Sequence, residues 1–446
     1  MTTVQSPPAP PTAMRPRVVA GTGLYAVLAA NAAVVTYFFV DVGFGASNAL
    51  LVLGRLAGLY GALLMAFQLL LVARLPWLDR RIGMDRLTSW HRWTGFGILW
   101  TLLAHAVFIT FGYADSSGLD PVNQLVDLAE TVEGVLRAVA ALVIILVVGA
   151  VSGRFARRRL AYETWHFIHL YTYLAVVLAF THQVAVGTTF TASSAATAYW
   201  YALWGVALGS VLVGRLVLPL WRNWRHQLRV SAVVPESDNV VSIHITGRDL
   251  DRLPARAGQF FLWRFLTKDR WWQANPFSLS AAPDGRGLRL TAKAAGDGSA
   301  ALRHLEPGTR VFAEGPYGAF TALHRTRPES LLIAGGVGVT PIRALLEELA
   351  GHAVVIYRVA SDRDAVLYDE LRELAHAKGA ELHLVTGPVA PDRLAPAELI
   401  RMVPDIAERD VFLCGPPPMM NAVLGSLRAL DVPKPQIHFE RFSLAG

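Results

Sequence analysis

The chain changes character near its midpoint. Up to about residue 222, long apolar stretches are separated by short polar links; from His226 onward the apolar runs are short and bounded by Gly, Pro and Asp. Six long stretches stand out, at residues 18–40, 49–72, 93–111, 134–151, 165–186 and 199–220. Each approaches the ~20 residues a helix needs to cross a hydrocarbon core, so the pattern predicts six membrane spans. Residues 1–14, rich in Pro and Thr, read as a disordered tail. The first apolar run is long enough to span and is followed by others, so it reads as a retained helix rather than a signal peptide. In the second half, residues 240–245 and 288–292 read as strands. From Ser330, apolar strands at 331–334, 353–358, 381–385 and 411–413 alternate with helical patterns such as 341–349 and 368–377. That alternation predicts a parallel sheet with crossover helices.

Charge placement adds an orientation. The 446 residues are 53% hydrophobic and only 17% charged, too apolar for a purely soluble protein and too long for one ordinary domain. The net charge of +7 does not point to nucleic acid, because the arginines sit in short links between apolar runs. Arg74, Arg80, Arg81, Arg86 and Arg92 follow the second stretch, and Arg154, Arg157, Arg158 and Arg159 the fourth. The segment 112–133 has no Lys or Arg but carries Asp115, Asp120, Asp127, Glu130 and Glu133. Under the positive-inside rule the basic links are cytoplasmic and the acidic segment external. Both termini and everything after Arg222 then lie inside, and the expected setting is a plasma membrane with lipid as its surroundings.

The chemistry is narrowed by a single cysteine, Cys414. It excludes an intrachain disulfide, a four-cysteine zinc site and a cysteine-ligated iron–sulfur cluster. Redox centres must use histidine or an organic cofactor. A histidine inside a spanning helix is costly and marks a function. The third span is entered at His91 and holds His105, 14 residues on; the fifth holds His169 and His182, 13 residues apart. By the topology above the two helices run in the same direction. His91 and His169 then share the cytoplasmic level, and His105 and His182 the outer level about 20 Å away. Two stacked haems, each held by one imidazole from each helix, fit that arrangement. Fourteen residues bring a side chain back to about the same helix face, whereas thirteen miss by about 140°. The fifth helix must be distorted, or its two ligands must reach round. His166, one turn before His169, is a rival ligand that matches the first spacing less well.

These pairs, with Trp165 and the basic turn ahead of them, resemble the ferric reductase and NADPH oxidase transmembrane family. The resemblance implies two haems of b type, with iron held by His91–His169 and by His105–His182. Arg55, a charge deep in the second span near its external end, costs about 3 kcal/mol unless it finds a partner; a haem propionate or an anionic acceptor would be one.

The second half carries a matching set. Asn275-Pro276-Phe277-Ser278-Leu279-Ser280 resembles the flavin motif of the ferredoxin-reductase fold. The resemblance places Phe277 on the isoalloxazine of FAD and the Ser278 hydroxyl at the flavin N5, with Asn275 and Pro276 alongside. Lys293 and the turn with Gly298 and Ser299 offer donors to the FAD phosphates, and Glu314-Gly315-Pro316-Tyr317-Gly318 follows in order. Gly335, Gly336, Gly338, Thr340 and Pro341 form a glycine-rich turn from strand to helix, a cradle for the nicotinamide dinucleotide's pyrophosphate. Cys414, Gly415, Pro416 and Met419 resemble the motif that faces the nicotinamide. Arg358, Ser361 and Arg363 stand where a 2′-phosphate would sit, favouring NADPH over NADH. Phe442, or Leu444 in its place, would cover the flavin. The predicted fold is multidomain: a tail (1–14), an all-α six-helix transmembrane haem domain (15–222), an antiparallel β-barrel FAD domain (226–322) and an α/β parallel-sheet NAD(P)H domain (328–446). The expected activity moves electrons from cytoplasmic NAD(P)H through FAD and two haems to an external one-electron acceptor, dioxygen or ferric iron, with Arg55 serving the acceptor. The alternative is an electron-carrier subunit that feeds a partner protein.

Overall fold

The structure, a computed structural model, describes residues 16–42, 48–157, 159–160, 162–294, 296–387 and 391–440. The tail 1–14, Phe442 and Leu444 lie outside the described residues. The chain forms two compact units.

One unit, residues 19–75 and 85–215, is helical. Its spanning helices are α1 (Pro16–Asp41, whose first turn falls outside the unit) and α2 (Ala49–Val72). The segment α3 (Pro76–Ile82) belongs to the other unit, and α4 (Met84–Ser117) resumes the bundle. The short α5 (Pro121–Thr131) precedes α6 (Val135–Ser152), α7 (Tyr162–Val186) and α8 (Ser194–Leu212). Among the described residues six helices are long and apolar enough to cross a membrane, as the hydropathy pattern predicts. Where the sequence sets their starts, polar caps are visible. Asn48 accepts the Leu51 N–H, Asp120 those of Val122 and Asn123, and Ser193 that of Ala196, each satisfying donors a helix start leaves open. Half of α2 is buried, against 11–22% of the other spans, so α2 is the core of the bundle. The outer faces expose Trp100, Phe96 and Val206, as lipid-facing positions do. At its C-terminal end α8 runs through a π-helical turn, Val213–Val217, into α9 (Leu218–His226).

The other unit holds α3 and residues 216–446. Two three-stranded antiparallel sheets come first. One is ordered β1 (Arg229–Ser237), β2 (Val240–Thr246), β5 (Gly287–Lys293); the other β4 (Asn275–Ser278), β3 (Phe260–Phe265), β6 (Val311–Tyr317). Bridges at Arg229↔Arg310 and Leu279↔Leu290 join their edges, and both sheets wrap one core that includes Ile243, Phe261, Trp263 and Leu290. A five-stranded parallel sheet follows, ordered β11 (Ile437–Glu440), β10 (Asp410–Cys414), β7 (Ser330–Gly335), β8 (Ala353–Arg358), β9 (Glu381–Val385). Every residue of β7, β8 and β10 is buried, as central parallel strands covered on both faces require. Helices α10 (Val339–Glu348), α11 (Tyr368–Lys378), α12 (Pro396–Met402) and α13 (Pro417–Ala429) supply the crossovers. The two lobes are tied by Arg289, which holds Ser280 and Glu370, and by Arg343, which pairs with Glu370 and donates to the Ser280 carbonyl.

Candidate functional site

In the helical unit, α4 and α7 bring the four histidines together in two pairs. The His91 and His169 rings lie 5.9 Å apart between centroids, and the His105 and His182 rings 6.3 Å, both near edge-to-face. With a metal–imidazole bond of about 2 Å, two imidazoles sharing one metal have centroids roughly 6 Å apart. Helix α7 is unbroken from Tyr162 to Val186. The angular mismatch of its two histidines is therefore met by side-chain reach and not by a distorted helix. His166 is exposed, with its ring beside Trp165.

Two residues bear on this site that the sequence reading passed over. Gly58 of α2 would place a Cβ 2.6 Å from His105 Nδ1, and Gly54 would place one 2.9 Å from Ile109. These glycines let α2 close on α4 and seat the His105 ring. His105 Nδ1 lies 2.8 Å from the Gly54 carbonyl oxygen. A carbonyl only accepts, so Nδ1 carries the proton and Nε2 keeps its lone pair for a metal. At the other level Gln68 Nε2 lies 3.1 Å from the His91 carbonyl and 3.4 Å from His91 Nε2. The signal for the glycines was present as Gly54-x3-Gly58, a small-residue spacing that lets membrane helices approach closely.

The donor set fits haem better than a bare ion. Among the described residues no group of three or more His, Cys, Asp or Glu converges, and a porphyrin needs only two axial imidazoles in an apolar slot. The Nδ1 atoms of His91, His169 and His182 are buried without a hydrogen-bond partner among the described residues. Arg55, next to Gly54, is half-buried and has no ion-pair partner among the described residues.

In the other unit, β4 carries Asn275, Pro276, Phe277 and Ser278, paired to β3 with Phe261 opposite Phe277 and Phe260 opposite Ser278. Ser278 is buried, Phe277 half-exposed, and Asn275 Nδ2 makes only long contacts to the Trp263 and Gln273 carbonyls. Facing Asn275 is the turn with Gly298 and Ser299. A Gly298 Cβ would stand 3.3 Å from Gln273 Oε1 and 3.9 Å from Asn275 Oδ1, and Ser299 Oγ closes the turn on Gly296. Lys293, exposed at the end of β5, leads into it.

The ends of β7 and β10 meet. A Gly338 Cβ would fall 2.3 Å from the Cys414 carbonyl oxygen, a Gly335 Cβ 2.5 Å from Met419 Sδ and 2.9 Å from Pro416, and a Gly415 Cβ 3.0 Å from Gly335 Cα. Only glycine permits that approach, and Gly336 takes a positive φ of 51°. Thr340 bonds back to the Val337 carbonyl, and Pro341 lies in the first turn of α10. The resulting crevice lies at the carboxyl ends of parallel strands, where α/β sheets bind ligands.

Cys414 is fully buried, and desolvation, then the Glu440 carboxylate, push its thiol pKa well up. It is a neutral wall, not a nucleophile. Glu440, in register with Cys414, also reaches within 3.8 Å of a Gly318 Cβ position; it joins the two motifs and was missed because its strand lies far along the chain.

Arg358 departs from expectation. It is buried, donating to the carbonyls of Val359, Val385 and Gly387, and burial, then the Arg393 charge, lower its pKa. Its guanidinium stitches the ends of β8 and β9 together, and Arg363 and Arg393 are exposed beyond β8. The Ser361 hydroxyl donates to the Asp364 carboxylate across its own turn.

Residues 57–180 match the family described as ferric reductase like transmembrane component, and residues 332–424 the oxidoreductase NAD-binding domain. The chain is 31% identical over 233 residues to the ferredoxin reductase component of 3-ketosteroid-9-alpha-monooxygenase from Mycobacterium tuberculosis H37Rv, covering 48% of this chain and 65% of that protein. It is also 31% identical over 187 residues to ferredoxin–NADP reductase B of Sorangium cellulosum, covering 37% and 77%. The crystal structure of the flavohem-like FAD/NAD-binding domain of nitric oxide dioxygenase from Vibrio cholerae is matched at TM-score 0.41 and 26% identity, over 49% of this chain and 98% of that one.

Fold and site define a multi-pass membrane oxidoreductase with a flavin- and NAD(P)H-binding module. The chain belongs to the ferric reductase-like transmembrane proteins fused to a ferredoxin-reductase-type module.

Proposed function

We infer that the protein carries electrons across a membrane, from NAD(P)H on the cytoplasmic side to a one-electron acceptor outside. The observation that carries this reading is the double pairing of histidines between the same two spanning helices, at 5.9 and 6.3 Å. When bound, FAD would accept a hydride and release single electrons, and two b-type haems would relay them. His91 with His169 and His105 with His182 would hold the two haems, and the Gly54 carbonyl orients His105. In the reductase module Ser278 and Phe277 position the flavin, the Gly298–Ser299 turn receives its phosphates, and the Gly335–Gly338 and Cys414–Met419 ends position the nicotinamide. Arg363 and Arg393 favour NADPH over NADH. The basic links between spans support a plasma-membrane setting with the reductase module inside. Arg55 offers a positive charge to dioxygen or to an anionic ferric complex.

Anaerobic mixing of the purified protein with NADPH tests the reading. Flavin absorbance should fall and a b-type haem band should then rise; flavin bleaching with no haem signal would contradict it. A second reading is favoured by those relatives that are named as reductase or electron-transfer components of oxygenases: the chain would deliver electrons to a partner protein. Steady NADPH consumption by the purified chain with dioxygen or a ferric chelate alone speaks for the self-sufficient enzyme.

A further inference from the structure

The hairpin tip between β3 and β4 presents two large rings to solvent. Trp271 and Trp272 are 58% and 57% exposed, although tryptophan has among the largest apolar surfaces a chain can bury. Their centroids lie 6.0 Å apart with planes at 88°, so the face of one ring meets the edge of the other and the pair forms a corner. Gln273, the next residue, faces the Gly298 turn at 3.3 Å from the Gly298 Cβ position, with Asn275 Oδ1 beside it. The tip is held in shape by the Gln273 N–H to the Arg270 carbonyl and by Asn275 Nδ2 to the Gln273 carbonyl. The tryptophans are thus adjacent to the side chains that line the proposed phosphate cradle. Lys268, exposed on the same tip, adds a cation.

We propose that the Trp271–Trp272 corner stacks the adenine ring of FAD. The inference rests on the flavin reading above and deepens it. Beyond its pyrophosphate FAD continues into a ribose and a planar purine, and a purine left in water gains by lying on an aromatic face. The corner supplies one such face and a perpendicular edge, at the end of the cradle that the isoalloxazine does not occupy. It makes the site choose FAD over FMN, which ends at its single phosphate.

The test is flavin binding by the full-length apoprotein in detergent, followed by flavin fluorescence with FAD and FMN separately. Trp271→Ala or Trp272→Ala should weaken FAD about 5- to 100-fold, the weight of one base–aromatic stack, and leave FMN unchanged. Phe at the same position should restore most of the loss. Equal weakening of FAD and FMN, or unchanged FAD affinity in both variants and in the double variant, overturns the proposal. Quenching of this pair by brominated lipid in nanodiscs, with FAD affinity unchanged, would assign the tryptophans to the bilayer interface and also overturn it. Unaltered protein that binds neither flavin would instead bring down the flavin reading itself.

Discussion

Glycine solves the same problem in both units, by different means. In the helical unit Gly54 and Gly58 are spread along one helix and clear space for a histidine on another. In the reductase unit Gly335, Gly336, Gly338 and Gly415 sit in two strand-end turns and let two backbones touch. Close approach is required in each, but the first set positions a side chain and the second positions main chain. Substitution should therefore cost cofactor occupancy in the first and folding in the second.

The largest effect is expected at Gly338. A Val there drives its Cβ into the Cys414 carbonyl, and the strand ends must part. The cost is about 3 kcal/mol or more by the usual scale of overpacking, seen as a lower Tm and lost flavin reduction by NADPH, with haem content unchanged. Gly58→Val should do the reverse. The added methyls meet the His105 ring, so haem per chain should halve through loss at the His105–His182 pair, while flavin reduction by NADPH continues. A variant at Gly58 that keeps its full haem content would break the comparison.

A smaller effect is expected at α3, the link that belongs to the reductase unit although it joins two spanning helices. Asp79 is 1% exposed, and its carboxylate accepts the Gly318 N–H at 2.6 Å; His324 Nε2 donates to the Arg80 carbonyl at 3.0 Å. Desolvation, then the Arg256 charge, lower the Arg80 pKa, and Asp79 opposes them. Asp79→Ala removes a charge-assisted bond worth about 1.5–3 kcal/mol, and calorimetry should show the loss in the reductase transition alone.

The arrangement of the helices, the parallel sheet and the four histidines was legible because each is written locally, in hydropathy, in strand–helix alternation, and in spacing along one helix. What was not legible depends on elements distant in the chain. Gly58 has meaning only beside His105, and Glu440 only beside Cys414. Arg358 could be placed after its strand by sequence, but its direction is set by the carbonyls of Val385 and Gly387, which lie on the neighbouring strand and loop. Asp79 lies among the arginines of a short link, and its partner, the Gly318 N–H, stands 239 residues further along the chain.

Two weaker effects sharpen the nucleotide side. Arg393→Ala should raise KM for NADPH several-fold more than for NADH, whereas equal changes would make Arg393 a surface residue. The Cys414 thiol has a raised pKa in the folded protein, so it stays protonated where an unfolded thiol, near 8.5, ionises. Unfolding then releases a proton above that pH, and stability falls as pH rises through it. Cys414→Ala should remove this alkaline slope in denaturant titrations, and the native thiol should resist alkylation at pH 8.

The most direct test of the central claim counts haem. Pyridine haemochrome analysis of the purified protein should give two b-type haems per chain, falling to one in His105→Ala and in His182→Ala, with FAD retained in both. Two haems retained in His105→Ala, or none in the unaltered protein, would contradict the account.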